Sequence, residues 1–243
     1  MENETLKERF LGTIFGQAVG DALGLSTEFM SKQEVDRFYP NGIENYSQIV
    51  QDDHRRRWQR GDWTDDTDMM LCILDSFNAE NICKLTHFDP RCVGSCVIVS
   101  SIIHALVFED RILDNEDVIG IAKQYDERIV PFVDLAYYEG LDSLCLDDEK
   151  SMGYTLRTLG AALWAYWHAT SYKEGILKIV LSGGDADTNA AVAGAILGAK
   201  FGICHIPDEW KDGLLHASIL HDKVQSFWRY AIKGKGMKRA WIC

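Results

Sequence analysis

The stretch Gly183-Gly184-Asp185-Ala186-Asp187-Thr188-Asn189-Ala190-Ala191-Val192-Ala193-Gly194-Ala195-Ile196-Leu197-Gly198-Ala199-Lys200-Phe201-Gly202 joins an acidic cluster to an apolar run of mostly small residues. Gly194, Gly198 and Gly202 recur every four residues, which places them on nearly one face of a helix over 190–201. Each glycine weakens a helix by about 1 kcal/mol relative to alanine. Their recurrence therefore points to a groove where another backbone comes close. A matching face lies at the start of the chain. Leu6, Phe10, Leu11, Ile14, Phe15, Ala18, Val19 and Ala22 follow helical spacing over 5–23, with Gly12, Gly16, Gly20 and Gly24 between them. The two small-residue helices are predicted to pack closely, bringing Asp185 and Asp187 near the first helix. Asp21 falls late in that helix, where the dipole disfavours a negative charge. Its place fits either a specific partner or an Asp bonding nearby backbone. Glu28 follows in a loop.

A second acidic stretch, Gly61-Asp62-Trp63-Thr64-Asp65-Asp66-Thr67-Asp68, also precedes an apolar helical run, predicted over 64–77. Read alone, it is a capping run: Thr64 is a good N-cap, and Asp in a first turn suits the helix dipole. Read with Asp185 and Asp187, it supplies hard oxygen ligands of the kind that Mg²⁺ takes. Two metals held close together polarise a substrate oxygen and acidify water, which is hydrolytic chemistry without a stated leaving group.

Composition sets the frame. The chain has 243 residues, 47% hydrophobic, with seven Trp, nine Tyr and ten Phe. That suits a folded chain with a sizeable core, read here as a single domain over 1–243. The net charge of −12 makes nucleic acid and anionic membranes poor partners. The basic exceptions are Arg55-Arg56-Arg57 with Arg60, and the tail from Lys233 to Arg239. Both read as solvated segments, or, for the Arg run, as an attractor for a phosphate-bearing substrate. Seven Cys without framework spacing, and no signal-peptide pattern, place the chain in a reducing, cytoplasmic setting. No apolar run is read as reaching the ~18 residues that span a membrane.

The remaining segments read as helices and loops. Short helices are expected over 31–38, 116–124 and 131–139, and a loop over 40–61. An apolar core helix covers 92–108, an acidic surface loop 142–150, and further helices 154–169, 173–181 and 215–232. With no period-two strands, βαβ units or repeats, the fold class is all-α. Asp185-Ala186-Asp187-Thr188-Asn189 is no EF-hand loop, since Ala190 stands where Gly is needed and Ile196 where Glu is needed. No Walker Lys, GxSxG or HExxH occurs, and the seven His lack zinc-ligand spacing.

Three motifs taken together carry a resemblance: Gly16-Gln17-Ala18-Val19-Gly20-Asp21-Ala22-Leu23-Gly24 with Glu28, Trp63-Thr64-Asp65-Asp66-Thr67-Asp68, and Gly184-Asp185-Ala186-Asp187-Thr188-Asn189. In this order they resemble the ADP-ribosylglycohydrolase family, which includes dinitrogenase-reductase-activating glycohydrolases and ADP-ribosylarginine and ADP-ribosylserine hydrolases. Thr86-His87-Phe88-Asp89-Pro90-Arg91 and Tyr154-Thr155-Leu156 are similar to further family segments. The resemblance implies a compact orthogonal helical bundle with two Mg²⁺ (Mn²⁺ in some members). It implies Thr64, Asp65, Asp66, Asp185, Asp187 and Thr188 as metal ligands, and Glu28, Asp185 and Asp187 as acid–base groups. Glu28, His87 and Gly184 would meet the substrate, and Asp21 would support the site without ligating. The implied reaction hydrolyses the bond between ADP-ribose and a modified side chain, on a protein or a small conjugate, by a monomer or dimer. The sequence departs from the family pattern in one respect. The long segment with an Asn-Gly-(Ser/Ala)-x-Met-Arg loop, which helps hold the diphosphate, is replaced by 78–85. Two readings follow: a compact hydrolase in which Arg55, Arg56, Arg57 or Arg60 takes over the phosphate contacts or whose substrate is smaller, or a metal-bearing ligand binder or crystallin-like structural protein without turnover.

Overall fold

A computed structural model describes residues 2–73, 83–84 and 86–233. The replacement segment 78–85 falls largely outside the described residues. Among these there are eleven α-helices and no strands. They are α1 (Glu2–Gly24), α2 (Lys32–Phe38), α3 (Asp65–Ile73), α4 (Pro90–His104), α5 (Asn115–Tyr125), α6 (Val130–Tyr138), α7 (Thr155–His168), α8 (Tyr172–Val180), α9 (Ala186–Phe201), α10 (Asp208–Asp212) and α11 (Ala217–Lys233). Their starts are written locally. Ser31 and Glu34 form a capping box on α2, and Asp114 and Asp117 do the same on α5. Asp89 caps α4 ahead of Pro90, and Ser171 caps α8.

The organising contact is α1 against α9, and it is backbone on backbone. A Cβ built on Gly198 would lie 1.8 Å from the Gly12 carbonyl oxygen, and one on Gly20 would lie 2.0 Å from that of Ala190. Nothing larger than glycine fits between the axes, as the two glycine faces predicted. Around this pair α9 also packs on α7 and α8, and α7 on α6. Ala18, Val19, Leu163, Ile176, Ile196 and Leu197 are fully buried in the resulting core. Tyr172 is buried as well, and its hydroxyl donates to the Gly16 carbonyl at 2.6 Å.

The structure corrects the sequence reading in four places. The segment 40–61 is not plain loop: it holds short 3₁₀ turns at Tyr46–Gln48 and Arg55–Arg57. The acidic segment 142–150 is not simply surface, since Leu144 and Leu146 are buried beside Leu141. The helix at the second acidic stretch begins at Ala186, so Asp187 and Thr188 sit in its first turn. Finally, Pro90–Glu109, at 20 residues and mean hydropathy 1.9, is long and apolar enough to cross a membrane by length and composition. Here its Val93, Ile98 and Ile102 are buried in the core. The sequence reading missed this length because it began the helix at Cys92 rather than at the Asp89–Pro90 cap.

Candidate active site

α1, α3 and α9 each deliver one carboxylate to a single point. Oxygens of Asp21, Asp66 and Asp187 lie within 4.8 Å of one another. The close α1–α9 crossing is what makes this possible, because Asp21 and Asp187 lie near the same end of that contact.

Asp21 is fully buried and its carboxylate is saturated. Oδ1 accepts from the Thr64 amide at 3.0 Å and the Thr64 hydroxyl at 2.8 Å. Oδ2 accepts from the Thr67 amide at 3.0 Å and the Thr67 hydroxyl at 2.6 Å. Two donors per oxygen leave it no lone pair for a cation. Asp21 therefore caps the first turn of α3 from another helix, and that resolves its unfavourable place near the end of α1. Burial pushes it up to about 6, even against the pull of these four donors. The Thr64 hydroxyl donates to Asp21 and accepts from the Asp66 amide at 3.4 Å, which leaves its oxygen one lone pair.

Asp66 and Asp187 are different. Burial pushes Asp66 up to about 7, with the Asp21 charge next, while a hydrogen bond from Thr188 opposes the rise. Asp187 is 5% exposed, and its Oδ1 is buried with no hydrogen-bond partner. Burial, then Glu28, Asp185, Asp66 and Asp21 raise it far above the usual carboxylate range. The charges that weigh on it are four other carboxylates. Asp185 is half-buried at the entry to α9, and Asp65 lies on the exposed side of the first turn of α3. Gln17 donates from Nε2 to the Asp66 carbonyl at 3.3 Å, tying α1 to α3 once more.

Glu28 is 8% exposed and comes from the turn after α1. The turn is joined to the second acidic stretch through Gly184: Phe29 N–H donates to the Gly184 carbonyl at 2.6 Å, and Gly184 N–H donates to the Met30 carbonyl at 2.8 Å. Gly184, expected to meet the substrate, thus spends both backbone groups on joining Glu28 to Asp185. Its φ of +71° and the Leu146 carbonyl, 2.0 Å from where a Cβ would stand, admit only glycine. His87 is exposed, with its ring bonded to the neighbouring Thr86 hydroxyl at 2.9 Å. No described contact joins it to the carboxylates.

The Arg run is put to a use that the sequence reading did not foresee. Arg55 is 3% exposed. Its guanidinium donates to the carbonyls of Leu25, Ser26 and Glu28 and to Asp52. It is a strut under the Glu28 turn and is not free for phosphate. Arg56 is exposed and pairs with Asp53, and Arg60 donates to the Ile49 carbonyl. Arg55→Met should leave the buried carbonyls of Leu25 and Glu28 without a donor, that of Ser26 keeping the Tyr39 hydroxyl, and cost about 3 kcal/mol. Thermal unfolding would show this as a fall of roughly 6–12 °C. Arg55→Lys should not rescue it, since an ammonium cannot span the same acceptors. Sequence could have flagged Thr67, three residues after Thr64 on one helix face; nothing in a triple-Arg run marks the first Arg as buried.

An all-α fold gathers three carboxylates at one helix crossing, beside threonine hydroxyls, in a group that could hold a metal ion. Comparison with known proteins gives it a family. The profile described as ADP-ribosylglycohydrolase matches residues 2–81 and 78–236. The chain belongs to the ADP-ribosylglycohydrolase family, and with it to the hydrolases of glycosyl bonds. It is 23% identical to the ADP-ribosylarginine hydrolase Tri1 of Serratia proteamaculans, covering 88% of this chain and 77% of that one. It is 22% identical to the ADP-ribosyl-[dinitrogen reductase] glycohydrolase of Rhodospirillum rubrum, covering 86% and 91%. A solved ADP-ribosylglycohydrolase-related protein complex shares the fold, with TM-score 0.53 and 22% identity over 93% of this chain and 99% of that one. The Serratia match spans 295 aligned positions against 243 residues here, so that relative has many positions with no counterpart in this chain. The family match breaks near residues 78–81, where the missing segment was expected.

Proposed function

We propose that this chain releases ADP-ribose from a modified side chain by hydrolysing the glycosidic bond at C1″ of the distal ribose, at the centre formed by Asp66, Asp187 and their neighbours. The observation that carries the reading is the buried, partnerless Asp187 Oδ1 facing other carboxylates. Uncompensated charge of this kind is costly to bury unless a cation completes the site. The surrounding donors are carboxylate and hydroxyl oxygens, which suits a hard divalent ion. Thr64, Asp65, Asp66, Asp185, Asp187 and Thr188 would hold two Mg²⁺, with Mn²⁺ as the other candidate. Bound there, the ions supply positive charge to the ribose hydroxyls and make water more acidic.

The protein's residues supply the rest. Water adds to C1″, the bond to the departing nitrogen or oxygen breaks, and the leaving group takes up a proton. The transition state carries positive charge on the sugar, which nearby carboxylates stabilise. Glu28, Asp185 and Asp187 would hold and return the proton at their carboxylate oxygens. Because relatives named as ADP-ribosylarginine hydrolases match most of the chain, arginine is the first linkage to test.

The test is release of free ADP-ribose from arginine- and serine-linked substrates, with Mg²⁺ and with chelator. The expected result is release that stops on chelation and returns when Mg²⁺ or Mn²⁺ is restored. Binding of ADP-ribose with no release from either linkage would overturn the reading in favour of a ligand-binding protein.

A further inference from the structure

With Arg55 committed to the turn, Arg57 and His54 remain from the same segment. His54 Nε2 lies 2.6 Å from Glu28 Oε2. Its other ring nitrogen, Nδ1, is met by Arg57 Nη2, and Arg57 Nε donates to the His54 carbonyl at 3.0 Å. A guanidinium has donors only. Nδ1 therefore accepts and carries no proton, the ring's single proton sits on Nε2, and Nε2–H donates to the Glu28 carboxylate. Two aromatic rings adjoin it, Phe29 at 5.3 Å and Trp58 at 5.4 Å between centroids, both tilted, and Arg57 stands over Trp58 at 5.4 Å. Phe29 holds a φ of +60°, costly for an aromatic residue, and so packs on His54 while it is itself 56% exposed.

We propose that Arg57 and His54 form a relay that sets the orientation of Glu28: Arg57 fixes the His54 tautomer, and His54 ties down one Glu28 oxygen and leaves the other for the reaction. His54 is a positioning residue, and the inference rests on the reading of Glu28 as an acid–base group. A Glu side chain in a turn has several rotatable bonds, so a tether that selects one rotamer removes that ordering cost from the catalytic step.

The experiment measures ADP-ribose release by wild type, Glu28→Gln, His54→Phe and His54→Gln, together with ¹⁵N NMR of the His54 ring in wild type and Arg57→Met. His54→Phe keeps the ring and loses the donor, so kcat should fall between about tenfold and a hundredfold with KM little changed. His54→Gln restores an N–H donor towards Glu28 and should recover most of the turnover. The wild-type spectrum should show a protonated Nε2 and a bare Nδ1, and Arg57→Met, which takes the donor away from Nδ1, should let that nitrogen take up a proton. A protonated Nδ1 in wild type, or His54→Gln as slow as His54→Phe, overturns the relay. The two failures separate. A wild type with no turnover sinks the functional reading, whereas wild-type turnover lost in Glu28→Gln but intact in His54→Phe sinks the relay alone.

Discussion

Asp187→Asn should abolish turnover and at the same time stabilise the metal-free protein. The loss of activity, at least about a thousandfold, follows from removing a buried carboxylate that is the proposed acid–base group and ligand. The gain in stability follows from the same burial. Asp187 is raised by desolvation first and by Glu28 next. Its folded value lies above the unfolded one of about 3.9. The folded chain therefore holds a proton that the unfolded chain has released. By linkage, the stability from this group is complete below about pH 4 and is lost as pH rises through the raised folded value. Asn carries no charge at any pH and escapes that loss. Without metal, the variant should gain about 1–3 kcal/mol over wild type near pH 8, and the two should converge towards pH 4. Thermal unfolding in chelator across that range checks it. A variant no more stable than wild type at pH 8 would show that Asp187 bears no such burden. Adding Mg²⁺ should reverse the order, since only wild type keeps the full set of proposed ligands.

Gly198→Ala is expected to be the most damaging single-methyl change in the chain. The added Cβ would lie 1.8 Å from the Gly12 carbonyl oxygen and 2.4 Å from its carbon. A side chain can swing aside, but helix backbone cannot, so α1 and α9 must separate. Overpacking costs about 1–3 kcal/mol where side chains can yield, and the cost here should reach or pass the upper end. That corresponds to a drop in Tm of roughly 6–12 °C or more, or to loss of soluble protein. Asp21 and Asp187 ride on these two helices, so divalent-cation binding by any surviving fold should weaken as well. Gly120→Ala is the matched control. It lies within α5 with nothing within 4 Å of its added Cβ, and should stabilise by about 0.5–1 kcal/mol. If the two variants unfold alike, the close crossing is not what holds this end of the molecule.

The sequence by itself determined that the chain is helical, that two glycine faces meet, and that the acidic stretches share one point. Each of these is written in spacing. A four-residue glycine repeat fixes a helix face, and a Thr-Asp-Asp-Thr run fixes which side chains leave a first turn together. Spacing could not separate Asp21, whose four lone pairs are filled by Thr64 and Thr67, from Asp187, whose Oδ1 is left bare. Nor could it tell Arg55 from Arg56 and Arg57, since burial of one guanidinium depends on carbonyls of Leu25, Ser26 and Glu28 that are distant in sequence. The same holds for His54 and Glu28, 26 residues apart and 2.6 Å from each other. Local pattern sets the elements because it acts through neighbouring residues. Which polar group is saturated, which is bare and which is a strut depends on partners that only the packed tertiary structure brings within hydrogen-bonding reach.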